Sequence, residues 1–111
     1  MNERELLEQV AKAAGLEKHF VYSESCQAMV AKLPSGIVAI QWNPLRDDSN
    51  AFRLAVNLEL RVIVEIKTEG YVKVEWGDGH DNYIRVDVPK GEDGYAATRR
   101  AIVLAAIKAM M

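Results

Sequence analysis

Apolar residues spaced three or four positions apart predict an amphipathic helix near the start of the chain. The pattern runs from Glu3 to Ala14 and places leucine, valine and alanine on one side and charged residues on the other. Asn2 precedes this segment as a candidate N-cap, and Gly15 follows it where a left-handed C-cap belongs.

The same spacing predicts two further helices. One covers Asp48–Leu58, and Phe52 and Val56 widen its apolar face. The other covers Tyr95–Met111 and is unusual, because its segment Ala101–Ile107 has no polar residue at any angle. A helix that is apolar all round must be buried on most sides, so we expect the last helix at the centre of the fold or at a subunit interface.

A period of two predicts three strands between residues 61 and 88, with apolar positions on one face and charged positions on the other. Two earlier strands, Cys26–Leu33 and Ile37–Gln41, flank the hairpin signature Pro34-Ser35-Gly36. Both are apolar at nearly every position, which is typical of strands covered on both faces. The segment from Leu16 to Tyr22 is predicted to be a linker. The apolar positions of the later strands are Val62, Val64, Ile66, Val72, Val74, Trp76, Ile84, Val86 and Val88, and the charged ones are Glu65, Lys67, Lys73, Glu75, Arg85 and Asp87.

These elements predict a single α+β domain over residues 1–111, with a largely antiparallel sheet of about five strands and three helices. Hydrophobic residues make up 50% of the chain and charged residues 27%, as in folded globular proteins. The net charge of −2 disfavours a protein whose main role is to bind phosphates. The single cysteine, Cys26, fits a reducing compartment, and neither a signal-peptide pattern nor a membrane-length apolar run is present. We therefore expect a cytoplasmic protein.

Two aspartates, Asp47 and Asp48, stand at the predicted start of the second helix. Pro44 disfavours helical geometry at the residue before it, so the chain arrives extended and must turn before the helix begins. A carboxylate at that point can accept hydrogen bonds from the unpaired N–H groups of the first turn. We interpret the pair as a structural cap, since a metal or acid–base role needs further ligands that this spacing does not supply.

The segment "GDGHDN", residues 77–82, is the richest polar cluster and joins two predicted strands. Its Asp78, His80 and Asp81 carry oxygen and imidazole ligands suited to a divalent cation. A calcium loop of the helix–loop–helix kind also needs a distal glutamate, which is missing here. We interpret the segment as a connecting loop and predict no cofactor. The alternative is a metal-dependent enzyme or ligand-binding domain that uses these three residues, joined in the fold by Asp47 or Asp48.

Arg99, Arg100 and Lys108 are basic residues of the last helix. One interpretation is that they keep an apolar helix in solution; another is that they contact an anionic partner. Weak nucleic-acid binding is therefore a second alternative, although the net negative charge makes it a minor one.

Two motifs resemble those of a known family. "NPLRDDSNA" (43–51) is similar to the Pro-Ser-Thr-Asp signature of the phage ABA-sandwich domain, a group of small phage and prophage proteins. Pro44, Asp47 and Ala51 match that signature, whereas Leu45 and Arg46 replace its Ser-Thr. "YAATRRAIVLAA" (95–106) is similar to the family's C-terminal helix, with Arg100-Ala101 at its Arg-Ala pair. The resemblance implies an α/β/α sandwich encoded by a phage or prophage, and it implies no activity.

The favoured functional prediction is a non-enzymatic protein-interaction module that associates first with itself, as a dimer, and then with a host or phage protein. Its basis is the last helix, which offers more apolar circumference than one small sheet can cover. The predicted contact residues on this helix are Tyr95, Arg99, Arg100, Ile102 and Met110.

Overall fold

The computed structural model describes residues 1–32 and 38–110. The elements in chain order are α1 (Glu3–Ala13), β1 (Val21–Ser23), β2 (Ala28–Lys32), β3 (Val38–Trp42), α2 (Asp48–Asn57), β4 (Arg61–Glu65), β5 (Tyr71–Glu75), β6 (Tyr83–Asp87) and α3 (Gly94–Ala109).

The strands form two antiparallel sheets of three strands each, in the orders β1-β2-β3 and β4-β5-β6. The α+β class, the antiparallel pairing and the three helices are thus as predicted. The prediction of one sheet with about five strands is wrong. The predicted linker supplies β1, in which Val21 pairs with Val30 of β2. A strand of three residues is too short to show a period of two, so alternation could not reveal it.

Strands β2 and β3 pair as the hairpin signature suggested, with Met29 opposite Trp42. The signature itself, Pro34-Ser35-Gly36, lies outside the described residues. Residues of β2 are buried, including Met29 and Val30, but Ile40 of β3 is exposed. The prediction that both strands are covered on both faces is therefore wrong for β3, because its face that carries Ile40 lies in solvent.

Local sequence determines how α1 begins and ends. The side chain of Asn2 accepts a hydrogen bond from the N–H of Glu5 at 2.8 Å. At the other end, the N–H of Gly15 donates to the carbonyl of Lys12, and the N–H of Leu16 donates to that of Ala11. This is a Schellman motif, which needs a residue with positive φ at its turn, and Gly15 has φ of 75°. The predicted caps of α1 are confirmed.

Helix α3 lies at the centre of the fold, as its apolar sequence predicted. It packs against α1, α2, β5 and β6. Because neighbours surround it on several sides, the apolar segment Ala101–Ile107 is used in the core, and the expectation that the fold cannot cover it is wrong. Its buried residues are Ala101, Ile102, Val103, Ala105, Ala106 and Ile107.

Helix α1 has two buried faces and so connects the two sheets. Leu6 and Val10 belong to the main core, which contains α3 and the buried valines of β5. Leu7 and Ala11 belong to a second cluster together with Met29 of β2.

Helix α3 packs on one face of β4–β6, the face that carries Val72 and Val74. The opposite face carries charged side chains, among them Arg85 and Asp87, which form an exposed ion pair. The α/β/α layering that the family resemblance implies is therefore not seen around this sheet in the part of the chain that the structure describes. Within residues 1–32 and 38–110, no helix is both long and apolar enough to cross a membrane.

Candidate functional site

The inner face of β4 is left open, although its sequence alternates as regularly as that of its neighbours. Val62 and Val64 point to the same face as Val72 and Val74, since these residues are directly paired across β4 and β5. Val72 and Val74 are fully buried, whereas Val62 is 37% and Val64 is 56% exposed. Helix α3 packs over β5 and β6, and β4 extends beyond it at the sheet edge. The expectation that all three strands bury this face is therefore wrong for β4.

Helix α2 also leaves apolar side chains in solvent. Ala51, Leu54 and Ala55 are buried in the main core. Phe52 and Val56, one turn apart on an adjoining side of the helix, are 69% and 57% exposed. These two residues widen the apolar stripe in the sequence, but the core is narrower than that stripe.

The exposed sides of α2 and β4 face one groove of about 890 Å³, which the first turns of α3 also line. Val62 and Val64 line it from the sheet, Phe52 and Val56 from α2, and Tyr95 from α3. We call this the α2–β4 groove. Its polar lining includes Asp48 and Arg99, whose side chains form an ion pair at 2.7 Å.

The groove brings together some of the predicted contact residues but not all of them. Tyr95 lines it and is exposed, and Ile102 is buried at its base. Arg99 also lines it, but its guanidinium is already bound, to Asp48 and to the carbonyl of Leu45. Arg100 is exposed beside a separate shallow cleft next to β6, and Met110 is exposed at the end of α3.

Four groove residues were assigned to the core by their periodicity and were therefore missed as surface residues: Phe52, Val56, Val62 and Val64. A signal was nevertheless present. Half of the residues are hydrophobic, and a small chain leaves part of its apolar surface in solvent. Periodicity alone does not tell which element remains uncovered.

The two aspartates before α2 have different structural roles. The side chain of Asp47 accepts a hydrogen bond from the N–H of Asn50 at 2.8 Å and is the N-cap of α2, as predicted. Asp48 is the first helical residue, and its side chain binds Arg99 instead of a backbone N–H. The cap prediction is thus right for Asp47 and wrong for Asp48.

The predicted metal-site candidates do not converge on a common point. His80 turns toward the sheet, and its Nδ1 lies 3.1 Å from a carboxylate oxygen of Glu75. Asp78 and Asp81 lie in the exposed β5–β6 loop. Across residues 1–32 and 38–110, no three His, Cys, Asp or Glu side chains are placed to hold a metal ion.

Glu75 is a buried charge that alternation had placed on the wet face of the sheet. Its side chain is 2% exposed and lies within 3.3 Å of Arg61, 3.2 Å of Lys73 and 3.1 Å of His80. Hydrogen bonding by His80, followed by that of Lys73 and Arg61, lowers the pKa of Glu75 to about 2 despite its burial. Arg61 also donates to the carbonyls of Gly77 and Gly79, so this cluster fixes the β5–β6 loop to β4.

Comparison of this chain with protein-family models, with curated proteins and with solved structures gave no match.

Proposed function

We propose that this protein is a non-enzymatic interaction module that associates with itself through the α2–β4 groove. The observation that carries the proposal is the continuous apolar lining of the groove by Phe52, Val56, Val62, Val64 and Tyr95, all of them substantially exposed. Contiguous exposed apolar surface with polar residues at its rim often marks a contact surface.

The shape of the groove favours a protein partner over a small ligand. Small-molecule pockets surround most of their ligand's surface. Here Phe52 and Tyr95 are themselves mostly in solvent, so they project from the walls and do not enclose a cavity. Aromatic side chains presented in this way are enriched at protein interfaces. A twofold dimer is the simplest assembly that covers the surface, because each copy then covers the groove of the other.

We further propose a phage or prophage origin and action in the cytoplasm, with a host or phage protein as a later partner. The support is the pair of motifs around Pro44 and Arg100 and the single cysteine.

The test is light scattering and sedimentation of the purified chain over a range of concentrations. We expect the wild type to be a dimer at micromolar concentration, and Phe52→Glu/Val56→Glu to dissociate at least about tenfold more readily. Each large apolar side chain contributes about 1.5–3 kcal/mol when it is buried, and 1.4 kcal/mol corresponds to a factor of ten.

Ile40→Glu is the matched control, because Ile40 is an exposed apolar residue of the other sheet. This variant should dimerise like the wild type. A chain that remains monomeric at several hundred micromolar, or a dimer that is weakened equally by Ile40→Glu and by the groove variant, would refute the proposed function.

A further inference from the structure

The main chain of β4 has hydrogen-bonding groups directed away from its sheet. Across β5 and β6, the N–H of Trp76 donates to the carbonyl of Asn82, and the N–H of Val88 donates to that of Gly70. Even-numbered residues of β5 therefore bond toward β6, and odd-numbered ones bond toward β4. Since Arg61, Ile63 and Glu65 are the partners of those odd-numbered residues, Val62 and Val64 direct their N–H and C=O groups to the open edge.

We propose that the occupant of this edge is β4 of a second copy, paired antiparallel around a twofold axis at Ile63. The proposal rests on the proposed function and specifies its geometry. In this register Val62 lies opposite Val64 of the second copy, so both valines use the main-chain groups that face the edge. The β4–β6 sheet of one copy and that of the other then form a single sheet of six strands.

The sequence of β4, Arg-Val-Ile-Val-Glu, selects this register by charge. Pairing centred on Ile63 places Arg61 opposite Glu65 of the second copy, twice by symmetry. Because β4 ends at Glu65, a shift by two residues leaves Arg61 without a strand partner in one direction and Glu65 in the other. Opposite charges directly across an antiparallel pair are favourable and like charges are not.

Arg61 has the donors for this additional contact. A guanidinium carries five N–H groups. Arg61 uses three of them, for Glu75 and for the carbonyls of Gly77 and Gly79. Its side chain is still partly exposed, and the proposed contact would use the two donors that remain.

The same pairing also brings the two α2–β4 grooves together on the inner face. Residues directly opposite in a sheet point to the same side, so the valines of both copies form one continuous apolar strip. Phe52 and Val56 of both α2 helices then lie on that side of the enlarged sheet, beside the strip. Edge pairing thus places the two grooves next to each other on one side of the enlarged sheet.

The decisive experiment is a symmetric cross-link. The variant is Ile63→Cys in the Cys26→Ala background, so that position 63 carries the only thiol of each copy. In the proposed register the two introduced cysteines would lie directly opposite each other at a pair that shares no main-chain hydrogen bonds. The Cα atoms of such a pair are about 4.5 Å apart, which is within the range of disulfides. We expect nearly complete disulfide-linked dimer under mild oxidation at micromolar concentration. Arg85→Cys is the control, because Arg85 is the central residue of the other edge strand and lies on the same face. It should give little cross-link.

Two further variants test the hydrogen bonds and the charges. Val64→Pro removes a donor at the open edge and leaves the β5 partners intact, so it should keep the fold by circular dichroism but lose the dimer. Glu65→Lys should weaken the dimer by about tenfold, and Glu69→Lys, the same charge change beyond the strand, should not.

A dimer sensitive to Phe52→Glu/Val56→Glu but without an Ile63→Cys cross-link would overturn this inference and leave the proposed function standing. A dimer unaffected by Val64→Pro would also overturn it, whereas a persistent monomer would refute both.

Discussion

Glu75 faces outward from β5, yet it is among the most buried side chains of the protein. The alternation of the sequence placed it correctly on the outer face. It could not show that Arg61, Lys73 and His80 would converge on it, because Arg61 comes from the neighbouring strand and His80 from the following loop. The exposure of a strand residue depends on the length and direction of the neighbouring side chains. The alternation of apolar and polar residues carries no information on either.

The low pKa of Glu75 makes stability depend on pH in a defined direction. In the fold the pKa is about 2, against an ordinary value of 4.5. The carboxylate therefore stabilises the fold above about pH 4.5, and this contribution is lost as the pH falls from 4.5 to 2. We expect Glu75→Gln to lower the free energy of unfolding at pH 7 and to lose less stability than the wild type over that acidic range. Urea unfolding at pH 7, 4.5, 3 and 2 measures both effects.

Glu92→Gln is the control for this measurement, because Glu92 is exposed. Its unfolding free energy should follow that of the wild type at each pH. If the curves of Glu75→Gln and the wild type remained parallel from pH 4.5 to 2, Glu75 would not be the group responsible.

Among the elements, those with local signals were predicted best. Helices α1, α2 and α3 begin after Asn2, Asp47 and Asp93, each of which accepts a hydrogen bond from the first turn. Caps are determined by a few adjacent residues, so the sequence contains them in full. Strand β1 was missed because its three residues become a strand through pairing with β2, and three residues are too few to show a sequence pattern of their own.

The division of roles between Asp47 and Asp48 can be tested by matched substitutions. Asp47→Ala should lower the free energy of unfolding by about 1 kcal/mol, because the N–H of Asn50 loses its acceptor, and Asp47→Ser should retain most of that stability. Asp48→Ala should cost less, about 0.5 kcal/mol, because it removes a partly exposed ion pair with Arg99. Chemical denaturation at pH 7 measures the series. The opposite order, with Asp48→Ala the more damaging, would mean that the ion pair and not the cap determines the start of α2.

At the scale of the whole molecule, the sequence predicted the class and the central helix but not the uncovered surface. The apolar run of α3 had to be buried, either at the centre of the fold or at a subunit interface. The open α2–β4 groove depends on how far α3 extends across the second sheet, and this is set by the packing of all three helices. The two valines of β5 are buried and those of β4 are exposed, although both strands have the same alternation. The sequence of β4 alone therefore does not predict whether its valines are covered.

The two buried faces of α1 should make the whole chain unfold in one step. Trp42 lies in the first sheet and packs against both buried clusters, whereas Trp76 directly follows β5 and packs against the main core. Trp42→Phe and Trp76→Phe each leave one tryptophan. For each variant we expect the urea midpoint measured by tryptophan fluorescence to equal the midpoint measured by far-UV circular dichroism. Leu7→Ala, which faces the cluster of the first sheet, should lower both midpoints. Separate transitions for the two tryptophans would show that α1 does not couple the halves.

Arg85, which stacks on Tyr71 at 4.2 Å, limits how far strand pairing can extend. By the same alternation of hydrogen bonds, Tyr83, Arg85 and Asp87 direct their main-chain groups to the outer edge of β6. Full-length antiparallel pairing of two such edges would set Arg85 against Arg85 of the next molecule, and like charges opposed in this way are destabilising. In the dimer proposed above, the two β6 edges would be the free ends of the joined sheet. The opposed arginines would then disfavour its elongation into a fibre.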